Sequence, residues 1–199
     1  PVKPAPFEYV AVDSWAAATA ALTDDALVLA GGQSLVPLLN LRRVRPARLV
    51  DINAIPGVIR RTAGTLRIGA TVRQAALERS QLVREHWPLL AQAVRHVGHP
   101  ATRSRGTVGG SVAHADPRAE LICALTALDA RYQTTTRTVD GPLRLARGEL
   151  LTGIELPPLA PGSRTAFAEY ARTAGSFADA AVAVVRGPGH AAIAVLGAG

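Results

Sequence analysis

Two paired glycines constrain this chain more than any other feature. Ala30-Gly31-Gly32-Gln33-Ser34 follows the apolar run Ala26-Leu27-Val28-Leu29 and precedes the apolar stretch Leu35 to Leu41. Such a run stopping at Gly-Gly reads as a buried strand entering a turn, with a short helix after it. A second segment, Arg105-Gly106-Thr107-Val108-Gly109-Gly110-Ser111, repeats the theme farther along. Glycine carries no Cβ, so a ligand can come close to the backbone. Successive N–H groups in such turns form concave anion sites, and a helix beginning there adds its dipole. Ser34, Thr107 and Ser111 set hydroxyls beside those amides. Two such segments can clamp a diphosphate from either side; for one segment alone, a glycine-rich turn without a ligand is the plainer account. Neither segment is a G-x-G-x-x-G. With Lys3 the only lysine, no G-x-x-x-x-G-K-[ST] exists.

The surrounding pattern is mixed helix and strand. Asp13 or Ser14 can cap an Ala-rich helix to about Leu22, and Arg48 to Ile52 reads as a strand. Leu66 to Ala70 alternates like a half-buried strand, and Thr71 can cap a helix from Gln74 to Arg79. Leu82 to Val97 has helical spacing, with Pro88 as a kink. Residues 98 to 119 form a long Gly-rich, polar and charged stretch, followed by an apolar helix from Glu120 to Ala130. Arg131 to Thr135 and Gly148 to Leu156 read as strands. After a Pro/Gly-rich linker, Thr165 to Arg172, Ala180 to Val185 and Ala191 to Leu196 read as the start of a small antiparallel sheet.

Composition narrows the classes. Of 199 residues, 48% are hydrophobic and 19% charged, enough for a real core. No apolar run reaches the roughly 18–20 residues needed to cross a bilayer, and no secretory leader is recognisable, so a cytoplasmic protein with no membrane span is expected. A single cysteine, Cys123, excludes an internal disulfide framework and any Cys-clustered metal site. The net charge of +7 is almost entirely arginine, while aromatic residues are 4%, too few for a base-stacking platform. No nucleic-acid partner is expected. The clusters at Arg42, Arg43, Arg45 and Arg48 and at Arg103 and Arg105 read as solvated surface that can also face an anion or a partner subunit.

Longer motifs carry a resemblance. Ala30-Gly31-Gly32-Gln33-Ser34-Leu35-Val36-Pro37-Leu38-Leu39-Asn40-Leu41-Arg42 is similar to the first signature of the FAD-binding medium subunit of molybdenum hydroxylases, the family of carbon monoxide and xanthine dehydrogenases. The stretch from Arg105 through Gly110-Ser111-Val112-Ala113-His114-Ala115-Asp116-Pro117-Arg118-Ala119-Glu120-Leu121 resembles the second. Leu66 to Thr71 and Leu151 to Pro157 sit where the family has similar stretches, so the resemblance runs along essentially the whole chain.

The resemblance implies an α+β fold: a two-lobed FAD-binding domain of the vanillyl-alcohol oxidase or PCMH type over 1–157, with lobes of about 1–57 and 58–157. Residues 163–199 would begin a C-terminal domain that family members continue. It implies that FAD is held, without a covalent bond through His114, by Ala30, Gly31, Gly32, Gln33, Ser34 and Leu35 on one side. On the other side stand Thr107, Gly109, Gly110 and Ser111. Asp116 and Glu120 would lie near the ribityl chain, and Leu151 beside the flavin. It further implies partners, a large subunit with a molybdenum cofactor and a small iron–sulfur subunit, with electrons passing through FAD to an acceptor. No side chain here is then catalytic and no metal site is expected. The family commonly has a basic residue near the flavin in the segment matched by Phe167 to Arg172; here that neighbourhood offers Glu169, Phe167 stands where some members have tyrosine, and the usual Gly-Asp turn is Gly175-Ser176.

Three other readings compete, one of them a binding protein whose cofactor function has been lost. A stand-alone flavoenzyme would use the same domain to oxidise a small molecule directly. A serine hydrolase would use Ser111 in a loose nucleophile elbow with His190 as the later histidine. The His-x-Asp of His114 and Asp116 is compatible with chelation but has no third ligand of obvious spacing, so with Glu120 it reads better as a polar loop lining a cofactor. Cys123, in an apolar helix, reads as a small buried side chain.

Overall fold

The computed structural model describes residues 3–197. The chain opens with β1 (Glu8–Ala11), α1 (Trp15–Ala21), β2 (Ala26–Leu29), α2 (Leu35–Asn40) and β3 (Arg48–Asp51). The three strands form a parallel sheet in the order β1-β3-β2. Ser14, not Asp13, caps α1, its hydroxyl accepting from the Ala17 amide at 3.3 Å. A small core of Val12, Ala18, Val50, Ile52 and Ile55 closes this lobe, joined by Leu150 from later in the chain. Strand β1 was not anticipated; three of its four residues are exposed, so it lacks the alternation that marks a half-buried strand.

The second lobe begins with the hairpin β4 (Ile59–Thr62) and β5 (Thr65–Gly69), then α3 (Gln74–Arg79), α4 (Gln81–His86) and α5 (Pro88–Val94). It continues through α6 (Pro100–Arg105), α7 (Val108–His114) and α8 (Glu120–Ala127) to β6 (Arg131–Thr134), β7 (Thr138–Asp140) and β8 (Leu151–Leu156). The five strands pair antiparallel in the order β4-β5-β8-β6-β7. The chain then enters β9 (Arg164–Tyr170), β10 (Ala180–Gly187) and β11 (His190–Leu196), an antiparallel sheet ordered β11-β10-β9. That sheet packs on α5 and α8. Ala181, Ala183 and Leu196 share one core with Leu89, Leu121 and Leu125, which are fully buried. Each such leucine contributes about 1.5–3 kcal/mol by leaving water.

Local chemistry moved several boundaries. The helix expected from Leu82 to Val97 is two helices, because Pro88 takes the first position of α5, where its missing N–H costs nothing, and so starts a helix instead of kinking one. Trp87 between them is buried and donates its indole N–H to the Pro157 carbonyl at 2.8 Å. Thr71 does not cap α3; Arg73 occupies that position without a side-chain cap bond, and the buried Thr71 hydroxyl has no partner. The polar stretch 98–119 holds α6 and α7, the first started by Pro100. The last strand of the lobe starts at Leu151 and not at Gly148, which takes a left-handed turn at φ +74°. Cys123 is buried, as expected of a small core side chain.

Candidate functional site

A cavity of about 570 Å³ collects residues from both lobes and from the turn before β10. That volume suits a small-molecule or cofactor site. Residues 30–35 line it between β2 and α2, and Thr107, Gly109, Gly110 and Ser111 line it from the start of α7. Asp116 and Glu120 follow between α7 and α8, and Leu151 enters from β8. Every residue to which the resemblance assigns cofactor contact therefore borders one cavity. The sequence did not single out Gln74, Leu145, Glu149 or Phe177, which border it too. Only Gln74 left a readable trace, as a polar residue at the head of an otherwise apolar-faced helix.

The first glycine segment is held from behind. The Asn53 side-chain amide donates to the Ala30 carbonyl at 2.8 Å, and Val36 N donates to the Gly32 carbonyl at 2.9 Å. The N–H groups of Gly31, Gly32, Gln33 and Ser34 have no acceptor among the described residues. Gly32 sits at φ +73°, a conformation that favours glycine. Gly31 is buried for a different reason: a methyl group there would stand 2.6 Å from the Gly106 Cα and against the Arg105 carbonyl.

The second segment is not the open nest its sequence suggests. Val108 N donates to the Val72 carbonyl and Gly109 N to the Ala70 carbonyl, both at 2.9 Å. Thr107 caps α7, its hydroxyl accepting from Gly110 N at 3.0 Å, and its carbonyl accepts from Ser111 N at 3.2 Å. Gly109 is required by close packing, since a methyl there would lie 2.6 Å from the Ala70 Cα. The glycine pair thus forms the first turn of a helix braced on β5.

A polar chain ties the two segments together. Tyr9 donates its hydroxyl to Asp51, which accepts from the Asn53 backbone and side chain. The Arg73 guanidinium donates to the Asn53 side-chain oxygen at 2.7 Å and to the Arg105 carbonyl. Behind α6, buried Arg103 makes a two-pronged contact with Glu78, at 2.9 and 3.1 Å, and also donates to the Val97 and Gly98 carbonyls.

Charge around the cavity is unevenly distributed. Glu120 is 3% exposed, and burial pushes its carboxyl up to about 7, with the Glu169 and Asp116 carboxylates adding to the effect. At Asp116 burial acts in the same sense, but hydrogen bonds from the Arg118 side chain and backbone outweigh it and hold the carboxyl below its usual range. Arg118 in turn lies over the Phe177 ring, 4.6 Å from its centroid. Glu149 accepts from Thr134, Thr136, Arg137 and the Ala146 amide, which keep it ionised well below the ordinary carboxylate range, first of all through Arg137. Glu169 stands 3.8 Å from His96, with its second oxygen buried and unpartnered. The hydrolase arrangement is not assembled. Ser111 lies within α7 and not at the apex of a strand-to-helix turn, and His190 opens β11 away from the cavity lining. Among the described residues no helix is long and apolar enough to cross a membrane.

Residues 5–159 match the family model described as the FAD binding domain in molybdopterin dehydrogenase. The alpha subunit of a 6-hydroxypseudooxynicotine dehydrogenase complex from Paenarthrobacter nicotinovorans is 43% identical over 196 residues, covering 89% of this chain and 66% of that protein. Caffeine dehydrogenase subunit beta from Pseudomonas sp. is 37% identical over 204 residues, 94% of this chain and 69% of that one. The chain thus spans about two thirds of the length of these curated relatives. Among solved structures, a carbon monoxide dehydrogenase from Hydrogenophaga pseudoflava lacking the Mo-pyranopterin moiety superposes with a TM-score of 0.92 at 35% identity, over 97% of this chain and 75% of that one. Quinoline 2-oxidoreductase from Pseudomonas putida 86 gives 0.89 at 35% identity, over 98% and 75%.

Proposed function

The chain belongs to the family of FAD-binding domains of molybdopterin dehydrogenases, and from that premise we propose that it is the FAD-holding component of a multi-subunit dehydrogenase. Its partners would be a large subunit carrying a molybdenum cofactor and a small subunit carrying iron–sulfur clusters, with this chain standing between those clusters and an electron acceptor. A cytoplasmic location belongs to the same proposal. So does the division into lobes of about 1–57 and 58–157, followed by the beginning of a further domain at 163–199; the family match over 5–159 supports its main boundary.

The observation that carries the reading is the run of four open amides from Gly31 to Ser34 on the wall of a cavity that the motif residues share. A diphosphate only accepts hydrogen bonds, and four adjacent donors with no protein partner fit it. Leu27, Leu38, Ile52 and Leu151 give the same cavity the apolar surface that ring systems need. Bound FAD would supply the redox chemistry. The chain's own residues bind, orient and exclude water: Gly32 supplies the left-handed turn that carries the amides, Asn53 and Arg73 hold the first segment against the second, and Glu120 keeps one wall close to neutral below about pH 7. The relatives' printed names point to different substrates.

The test is the visible absorption spectrum of the purified chain before and after adding FAD and washing. Flavin bands that survive washing are expected. A chain that stays colourless after FAD addition overturns the claim that this cavity holds the nucleotide.

A further inference from the structure

We propose that Gln74 is a further nucleotide-binding residue, its carboxamide donating to the diphosphate at the seam between the two glycine segments. The inference rests on the reading of the cavity as an FAD site. Gln74 opens α3, is 4% exposed and borders the cavity. Its backbone N–H donates to the Gly106 carbonyl at 2.9 Å, which fixes where the side chain begins. A methyl group on Gly106 would fall 2.5 Å from the Gln74 side-chain oxygen, so the carboxamide lies across that glycine. Gly106 is also the residue that Gly31 approaches most closely along with Arg105. The carboxamide therefore sits where the first segment meets the second.

Nothing in the protein explains this group. The side-chain oxygen is shut off from solvent and has no hydrogen-bond partner. Buried polar groups in folded proteins are almost always paired, and an unpaired one costs stability unless something binds it. A methionine or leucine would fill the same space without that cost. The oxygen is enclosed against Gly106, whereas the NH2 is not enclosed with it and donates to none of the described residues, so the donor end is the one open to a ligand. The neighbouring open groups, Gly31 to Ser34, are all donors, so the group expected beside them is an acceptor such as an anion. A carboxamide adds a donor there without adding charge, which leaves the pairing of Arg73 with Asn53 undisturbed.

The experiment compares ADP, FAD and riboflavin on the wild-type chain and on Gln74→Leu, Gln74→Met and Gln74→Glu. ADP shares the diphosphate and riboflavin lacks it. Calorimetry reads ADP and flavin fluorescence reads the other two. Without nucleotide, the Leu and Met variants should melt no lower than the wild type, because they remove an unpaired polar group. Both should bind ADP and FAD roughly tenfold more weakly, the effect of one lost hydrogen bond to a charged acceptor. Gln74→Glu should lose more, through charge repulsion, and riboflavin binding should change by less than twofold in all three. If the wild type binds FAD and ADP and the Leu and Met variants bind them equally well, this proposal falls and the cavity assignment stands. An equal loss for riboflavin, or lower melting of both apolar variants without nucleotide, assigns Gln74 a packing role and overturns it. A wild type that binds neither nucleotide removes the cavity assignment and this proposal with it.

Discussion

At Gly31-Gly32 four consecutive amides are left without a protein acceptor, whereas from Val108 to Ser111 four consecutive amides are all engaged. Similar letters thus perform different work. Gly32 supplies a left-handed turn that exposes donors, while Gly109 supplies the absence of a side chain where a helix presses on the end of β5. The first segment leaves donors that a ligand can take up. The second is built into the protein and gives the first a wall to stand against. A glycine motif therefore does not announce its role; the hydrogen-bond partners of its amides do.

The largest test of this contrast is Arg103→Ala. It strips the partner from Glu78 and two donors from the 97–98 carbonyls beneath α6, which leads into the braced segment. Because the Glu78 side chain is 27% exposed, the cost falls at the low end for a buried pair, roughly 3 kcal/mol, to be read as a lower urea midpoint with FAD absent. Next comes Glu120→Gln. The folded-state carboxyl of Glu120 is raised from an ordinary 4.5 to about 7, so its contribution is complete below about pH 4.5 and lost as pH rises through 7. The span amounts to about 3 kcal/mol. Melting temperature followed from pH 5 to 8 should fall more for the wild type than for Glu120→Gln; parallel curves would mean that Glu120 does not titrate in this range.

Gly109→Ala forces a methyl onto the backbone of Ala70 and should cost roughly 2 kcal/mol by overpacking. A variant as stable as the wild type would show that α7 is not braced on β5. The finest comparison sets Thr107→Ala against Ser34→Ala. Thr107 caps α7, so its loss should cost about 1 kcal/mol with or without nucleotide. Ser34 makes no side-chain cap bond, so Ser34→Ala should stay within about 0.5 kcal/mol of the wild type. Its effect, if the open segment meets a ligand, should appear in FAD affinity alone. Equal destabilisation by the two substitutions would erase the distinction between the segments.

Much of this was readable beforehand where side chains repeat with a period. The helix before Ala21, strands β2 and β3, α8 and the antiparallel β9–β11 all follow from apolar spacing. The motif residues converge on one cavity because long motifs constrain both loops at once. What escaped is the structure stabilised from outside the segment. Strand β4 reads Ile59-Arg60-Arg61-Thr62 and β7 only Thr138–Asp140, and each exists because a neighbouring strand supplies its partners. Helix α7 carries two glycines in its first turn, the poorest helix formers after proline, and is held by contacts to Ala70 and Val72 that lie well back in the chain. The burial of Gln74 and of Glu120 has the same origin. Both are polar letters whose surroundings are contributed by other elements.

The approach of Gly31 to Gly106 has a mechanical meaning. It brings the backbone of one lobe against the backbone of the other with no side chain between to compress or swing aside. Such a contact works as an end stop. Bringing the two segments any closer at this point would drive backbone into backbone. A molecule of the right girth then finds its seat already cut, and one slightly too thick has no cushion to yield.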